Sequence, residues 1–331
     1  MAKQSVKELG KVLPDHIRLL SGLIARKPAE FTREWAASID EAFHLYTRTG
    51  IVDLWLALNR ELIEFGWPFP AYLDLRAETE RVPREWSLLR NRRRALLDAV
   101  FRPPGVARIT LYAGLEQAAG KDGQAVCDTL MVCLFRRNRQ RLFHLLESSP
   151  VLAEKGQIVS DVQGAFERRF WAACITTIVP LLDYIMRSYF GTEKLNVTIQ
   201  VLRDAFMREA NLRPKDLMPG YAVWEGKRDP ETGNAFAPTL EEDLRLPGVL
   251  LSSFFEFADR YYQWYRSTET HPQTPLNRHA IMHCASEFWS QANAVRMLTF
   301  LDLTLRLEKP LKVLVHGEEA AHALFPDKAD E

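Results

Sequence analysis

One short segment carries the side chains best suited to chemistry: Asn277-Arg278-His279-Ala280-Ile281-Met282-His283. Four residues separate Arg278 from His283. On a helix, His279 and His283 stand one turn apart on a shared face. Arg278 points about 100° away from His279 around the axis, but its long side chain reaches the same space. Histidine titrates near neutral pH, so it can take a proton or return one. A guanidinium can hold two oxygens of a phosphate and stabilise the charge that builds on them. Together these groups suit the cleavage of RNA. A 2′-hydroxyl must lose its proton as it attacks the neighbouring phosphorus, and the 5′-oxygen must gain one. No metal is required if the groups are well placed. Two plainer readings stand beside this one. The spacing arises by chance in a helical chain with 43 basic residues, and two histidines one turn apart also serve to pack a helix surface. His279 and His283 have the spacing of half a zinc site as well. However, Ala280 stands where H-E-x-x-H needs glutamate, and His271 is the one nearby third histidine. No metal or other cofactor is therefore expected.

The same residues resemble the hallmark of the HEPN superfamily of helical proteins, R-x(4–6)-H, often with Asn, Asp or His directly after the arginine. Arg278, His279 and His283 fit that pattern, and residues 276–283 look like the NRHAILHG form of many bacterial members. The resemblance extends more weakly to the helices from about Val159 and to the closing helix through Leu307. It leaves residues 1–148 untouched. It implies a helical bundle that pairs into a homodimer, two such motifs facing each other across the two-fold axis in one composite cleft. It further implies a metal-independent endoribonuclease of antiphage defence or toxin systems, restrained in some cases by an antitoxin or other regulatory protein. Carried over, Arg278 would bind and polarise the scissile phosphate, His283 would act as general base or acid, and His279 would orient the phosphate or support His283. Asp183 matches the acidic residue that many members carry on an earlier core helix. Cys284 departs from the form, which has glycine there, and its larger side chain would narrow the cleft. The alternative is a non-catalytic module of the same fold that binds RNA or protein.

The elements that must position this segment read as helices throughout. Apolar residues recur every three or four positions almost everywhere, and no alternating stretch of useful length occurs. The expected fold class is all-α, an N-terminal helical bundle followed by a HEPN-like helical bundle. Thr274 is the expected N-cap, and Pro275 the first residue, of a helix that carries Arg278 and runs to about Ala285. Unpaired N–H groups in its first turn would favour an anion. Ser290 is expected to cap the next helix, Gln291 to Leu307, with Ala294, Leu298, Leu301 and Leu305 on its apolar face. Upstream, helices are expected around the stripe Ile17, Leu20, Leu23, Ile24, from Pro28 to Tyr46, and from Ile51 to Phe65. Others are expected over Arg84–Phe101, Ala107–Ala119, Gly123–Leu146, Val159–Tyr189, Leu195–Ala210 and Val249–Arg266. Glu147-Ser148-Ser149-Pro150 is a break with capping residues and a helix-starting proline. It divides the chain into residues 1–148 and 149–312, with 313–331 expected as a mobile tail. Arg213 to Gly248 holds five prolines and four glycines, the texture of a long loop.

Composition bounds the rest. Hydrophobic residues make up 47% and charged residues 26%, which places the chain among proteins with a proper core rather than among disordered ones. The 43 basic and 43 acidic residues cancel, so contact with nucleic acid must come from local patches. Arg90, Arg92, Arg93 and Arg94 form one arginine run; Arg136, Arg137, Arg139 and Arg141 form another. Each paints part of a helix face, read either as a solvated surface or as a contact to an RNA backbone. Arg168 and Arg169 read as helix surface. The aromatic series Phe254, Phe255, Phe257, Tyr261, Tyr262, Trp264 and Tyr265 has helical spacing and reads as core or dimer interface ahead of a base-stacking surface. Trp224 in the long loop is harder to bury. Cys127, Cys133, Cys174 and Cys284 lack C-x-x-C pairing and are expected as free thiols. MAKQSVKELG has no apolar signal core, and the apolar run Phe170–Met186 contains Pro180 and Asp183, so it reads as a buried helix. The expected location is the cytoplasm, without a membrane.

Overall fold

A computed structural model describes residues 6–26, 62–63, 65–73, 108–192, 194–212, 245–262, 276–282 and 289–324. Among these residues the fold is all-α, without a strand, as the three-to-four periodicity requires. The α-helices are α1 (Val6–Arg26), α2 (Arg108–Ser148), α3 (Gly156–Glu167), α4 (Trp171–Phe190), α5 (Leu195–Leu212), α6 (Arg245–Tyr262), α7 (Arg278–Met282), α8 (Gln291–Arg306), α9 (Glu308–His316) and α10 (Glu318–Leu324). A 3-10 turn over Pro150–Lys155 joins α2 to α3. No helix among the described residues is long and apolar enough to cross a membrane.

Helix α8 is the centre of the bundle. Every side chain from Asn293 to Leu305 is buried, so the helix is covered on all sides by α2, α4, α6 and α9. Its start is fixed as expected: the Ser290 hydroxyl accepts from the Asn293 N–H at 3.2 Å. Several of its polar residues are satisfied within the helix. Thr299 and Thr304 donate to the carbonyls one turn back, each at 2.7 Å, and Arg306 Nε pairs with the buried Asp302 at 3.1 Å. Aromatic rings lock α6 onto α8. Phe257, Phe254 and Tyr261 lie 4.6, 5.6 and 5.7 Å from Phe300. The series Phe254 to Tyr262 is thus core; Trp264 and Tyr265 lie outside the described residues.

Several boundaries differ from the sequence expectation. Helix α2 continues through Gly120 and Gly123, where two helices were expected. No proline interrupts it, and an interior glycine costs a helix only about 1 kcal/mol. Conversely, the single helix expected from Val159 to Tyr189 is two, α3 and α4, parted at Arg168–Phe170. No glycine or proline marks that break, because Arg169 itself adopts a left-handed conformation at φ 61°. Gly191 does stop α4, at φ 62°. Helix α6 begins at Arg245 and takes Pro247 and Gly248, expected in the loop, into its first turn, where a missing N–H has no intrahelical role. The tail expected from 313 is instead helical to Leu324. Val313, Leu314, Val315, Ala320 and Ala321 are buried against α9's neighbours, a run of apolar residues that the surrounding acids obscure in the sequence. The helices expected at 28–46, 51–61 and 84–101, the loop at 213–244 and the residues after 324 lie outside the described residues, as do the run Arg90–Arg94 and Trp224.

The break at 147–150 is present as the end of α2. The buried side chains on its two sides belong to one cluster. From the N-terminal side, α1 buries Leu9, Leu13, Ile17, Leu20 and Leu23 against α5 and α9.

Candidate active site

Helix α7 lies between α4 and α6. It begins at Arg278, later than expected, because its cap is Asn277 rather than Thr274: Asn277 Oδ1 accepts from the Ala280 N–H at 3.1 Å, and the Asn277 carbonyl accepts from the Ile281 N–H at 2.9 Å. Thr274 and Pro275 lie outside the described residues. Ala280 and Ile281 turn inward and are buried. Arg278 and His279 are left half-buried, and Met282 is 59% exposed. Burial of two neighbours thus decides which residues of this turn face outward.

The arginine reaches across to α4. Arg278 Nε stands 3.0 and 2.9 Å from the two oxygens of Asp183, and Nη2 stands 2.5 Å from Oδ2. The side chains are 25% and 13% exposed, so the pair sits at the rim of the core. Tyr262, from the last turn of α6, donates its hydroxyl to Asp183 Oδ1 at 3.1 Å. Three helices therefore meet at one carboxylate. Burial works against the guanidinium charge, but the hydrogen bonds and charge of Asp183 outweigh it and hold Arg278 more firmly protonated than usual. Burial first, then the neighbouring Tyr261 and Asp183, pushes the Tyr262 phenol well above its ordinary range, which keeps it a donor. Tyr261 packs edge-on against Tyr262 at 4.8 Å. Its own hydroxyl is buried without a hydrogen-bond partner among the described residues, close enough to feel both Asp183 and Arg278.

The mode of pairing matters for chemistry. Asp183 takes the side of the guanidinium that bears Nε and Nη2. The end that bears Nη1 has no partner among the described residues. A guanidinium held in this way can still offer its end to a phosphate. Tyr184, the next residue along α4, is 38% exposed, and Lys155 places its ammonium 4.8 Å from the centre of that ring.

Comparisons with protein-family models, with characterised proteins and with solved structures found no match. The reading of this site therefore rests on its own residues.

Of the predicted site residues, Arg278 and His279 share the first turn of α7, and Asp183 is brought to Arg278 from 95 residues away. His283 and Cys284 lie outside the described residues, as does His271. Among the described residues no group of three His, Cys, Asp or Glu side chains could hold a metal ion. Cys127 and Cys174 are buried free thiols and Cys133 is a half-buried one; burial pushes the Cys174 thiol up to about 12. Sequence reasoning missed the role of Tyr262. A signal for it was present: Asp183 is a lone acid in an apolar helix, and such a charge demands partners.

Proposed function

We propose that this protein is a metal-independent endoribonuclease that cleaves RNA by 2′-hydroxyl attack and leaves a cyclic phosphate end. The observation that carries the reading is the side-on pairing of Arg278 with Asp183. It fixes a guanidinium at the rim of the core, one residue before His279, and leaves the Nη1 end without a partner among the described residues. Such an arginine is suited to gripping a phosphate and to stabilising charge as phosphorus becomes five-coordinate. Tyr262 fixes Asp183, which in turn fixes Arg278, so the guanidinium is preorganised rather than recruited. In this reading His283 is the general base or acid and His279 positions the phosphate. Homodimerisation, a cytoplasmic site of action, a role in defence or as a toxin, and an antitoxin or regulatory partner belong to the same proposal and are supported by the likeness of residues 276–283 to the HEPN motif.

One observation favours a second reading. The charge of Arg278 is already met by Asp183, so the pair also serves as a helix-to-helix clamp in a non-catalytic module that binds RNA or protein. Cleavage of a mixed RNA pool in excess EDTA separates the two. The wild type should cleave, and His283→Ala and Arg278→Ala should lose at least about 100-fold in rate while remaining folded. Equal rates in the wild type and His283→Ala would remove His283 from the mechanism, and binding without product in any condition would favour the module.

A further inference from the structure

The junction of α3 and α4 projects an unusual surface. Helix α3 ends in a Schellman motif: the Phe170 N–H donates to the Ala165 carbonyl at 2.8 Å, and the Arg169 N–H to the Phe166 carbonyl at 3.1 Å. The left-handed position of that motif normally holds glycine, but here it holds Arg169, at φ 61°. A side chain at positive φ costs stability that glycine avoids. Arg168, Arg169 and Phe170 are all exposed, and Phe170 at 59% is among the most exposed large apolar side chains described. The tip is nevertheless firmly mounted. Phe166 just before it packs at 4.9 Å on Phe135, 6.5 Å on Phe143 and 5.2 Å on Trp171. Those contacts lay the tip beside the arginine run of α2. Arg139 lies one turn from both Phe135 and Phe143, on the same strip of the helix, and it is exposed. Among the described residues, Arg139, Arg168 and Arg169 pair with no acid. The nearest acid in sequence, Glu167, is engaged by Gln163 at 3.2 Å.

The geometry points to a platform for single-stranded RNA at this tip, with Phe170 stacking on a base and Arg168, Arg169 and Arg139 holding the phosphates on either side. Cationic groups without acidic partners match a polyanion, and an exposed aromatic among them matches its bases, whichever bases they are. The platform lies at the N-terminal end of α4, the helix that carries Asp183. Ala173, Thr176, Pro180 and Tyr184 form one exposed strip along α4, small until Tyr184. Along the helix axis the rise from the tip to Asp183 is about 20 Å at 1.5 Å per residue. The platform would hold the strand upstream or downstream of the bond to be cut. The choice of RNA as the polymer rests on the ribonuclease reading; the platform itself does not.

The test uses the full-length protein and a fluorescent, single-stranded 2′-O-methyl oligouridine of about 12 nucleotides, a length within the usual site sizes for such grooves. A 2′-O-methyl strand cannot be cut by 2′-hydroxyl attack, so its binding is read separately from nuclease activity. Phe170→Ala is expected to weaken binding at least about five-fold. Arg169→Gly should move two readouts in opposite directions: the melting temperature rises, because the left-handed position suits glycine, while affinity falls and the salt dependence flattens by about 0.7 in log–log slope. No binding by the wild type, or the same affinity and slope in both variants, overturns the platform. So does a change in sedimentation of Phe170→Ala protein alone at unchanged affinity, which would make the tip a protein contact. Platform binding without any RNA cleavage would sink the nuclease reading and leave the platform.

Discussion

A carboxylate 13% exposed, facing a guanidinium 25% exposed, is neither a surface pair nor a fully buried one. Surface pairs contribute little, and breaking a buried pair costs about 3–5 kcal/mol. Asp183 lies between these limits and also accepts from Tyr262. Asp183→Asn keeps the shape and one acceptor but removes the charge that holds Arg278. It should lower unfolding free energy by about 1–3 kcal/mol and, if the proposed ribonuclease reading holds, reduce RNA cleavage as well, because the guanidinium loses its fixed orientation. Tyr262→Phe removes a single hydrogen bond and should cost about 1 kcal/mol. Urea unfolding of both variants is the check. An Asp183→Asn protein as stable as the wild type would mean that water already satisfies Arg278, and that the pair positions nothing.

Between elements, a second polar node ties α2, α8 and the segment around Trp67 together. Arg296 is 4% exposed. It donates to Asp128 Oδ1 and to Asn293 Oδ1, and its guanidinium lies 4.4 Å from the centre of the Trp67 ring. Trp67 Nε1 and Gln124 Nε2 donate to the same Asp128 oxygen at 2.9 and 2.7 Å. Burial lowers the Arg296 pKa, against the pull of Asp128. The two partners differ in their access to water: the Asp128 side chain is 27% exposed and that of Arg296 only 5%. Asp128→Ala should therefore cost more, about 3 kcal/mol, because it strands a buried cation. Arg296→Met leaves a carboxylate that water can reach and should cost about 1–2 kcal/mol. The reverse order in urea unfolding would show that the cation is hydrated after all. At this scale the sequence was readable where the physics is local. The apolar spacing of α8, its Ser290 cap and the Gly191 stop each depend on a few adjacent residues. What stayed hidden depends on distant partners. Nothing near Arg278 says that Asp183 will receive it. Arg169 at a glycine position contradicts local preference, and α10 reads as a polar tail until α1 and α9 are there to cover Ala320 and Ala321.

For the whole molecule, the question is whether the two sides of Ser148 hold each other up. Helix α1 is far in sequence from α5 and α9, yet it packs on both. His16 Nδ1 bonds the Leu314 carbonyl at 3.0 Å, across 298 positions. The fit there is close enough to require glycine at 317, since a Cβ on that residue would collide with the His16 ring and its φ is 59°. Leu13, three residues before His16 on the same helix, is fully buried. Leu13→Ala should cost about 2–5 kcal/mol, as truncations in packed cores do. The informative measurement is where that loss appears. If the bundle opens as one unit, hydrogen exchange should quicken by a similar factor in α1, α5, α8 and α9, because all of them exchange through the same destabilised opening. If α1 is a separable addition, exchange will quicken in α1 alone while α8, the most enclosed helix, keeps its protection. The continuous cluster of buried side chains predicts the first pattern, and the second would return the division at 148 to a true folding boundary.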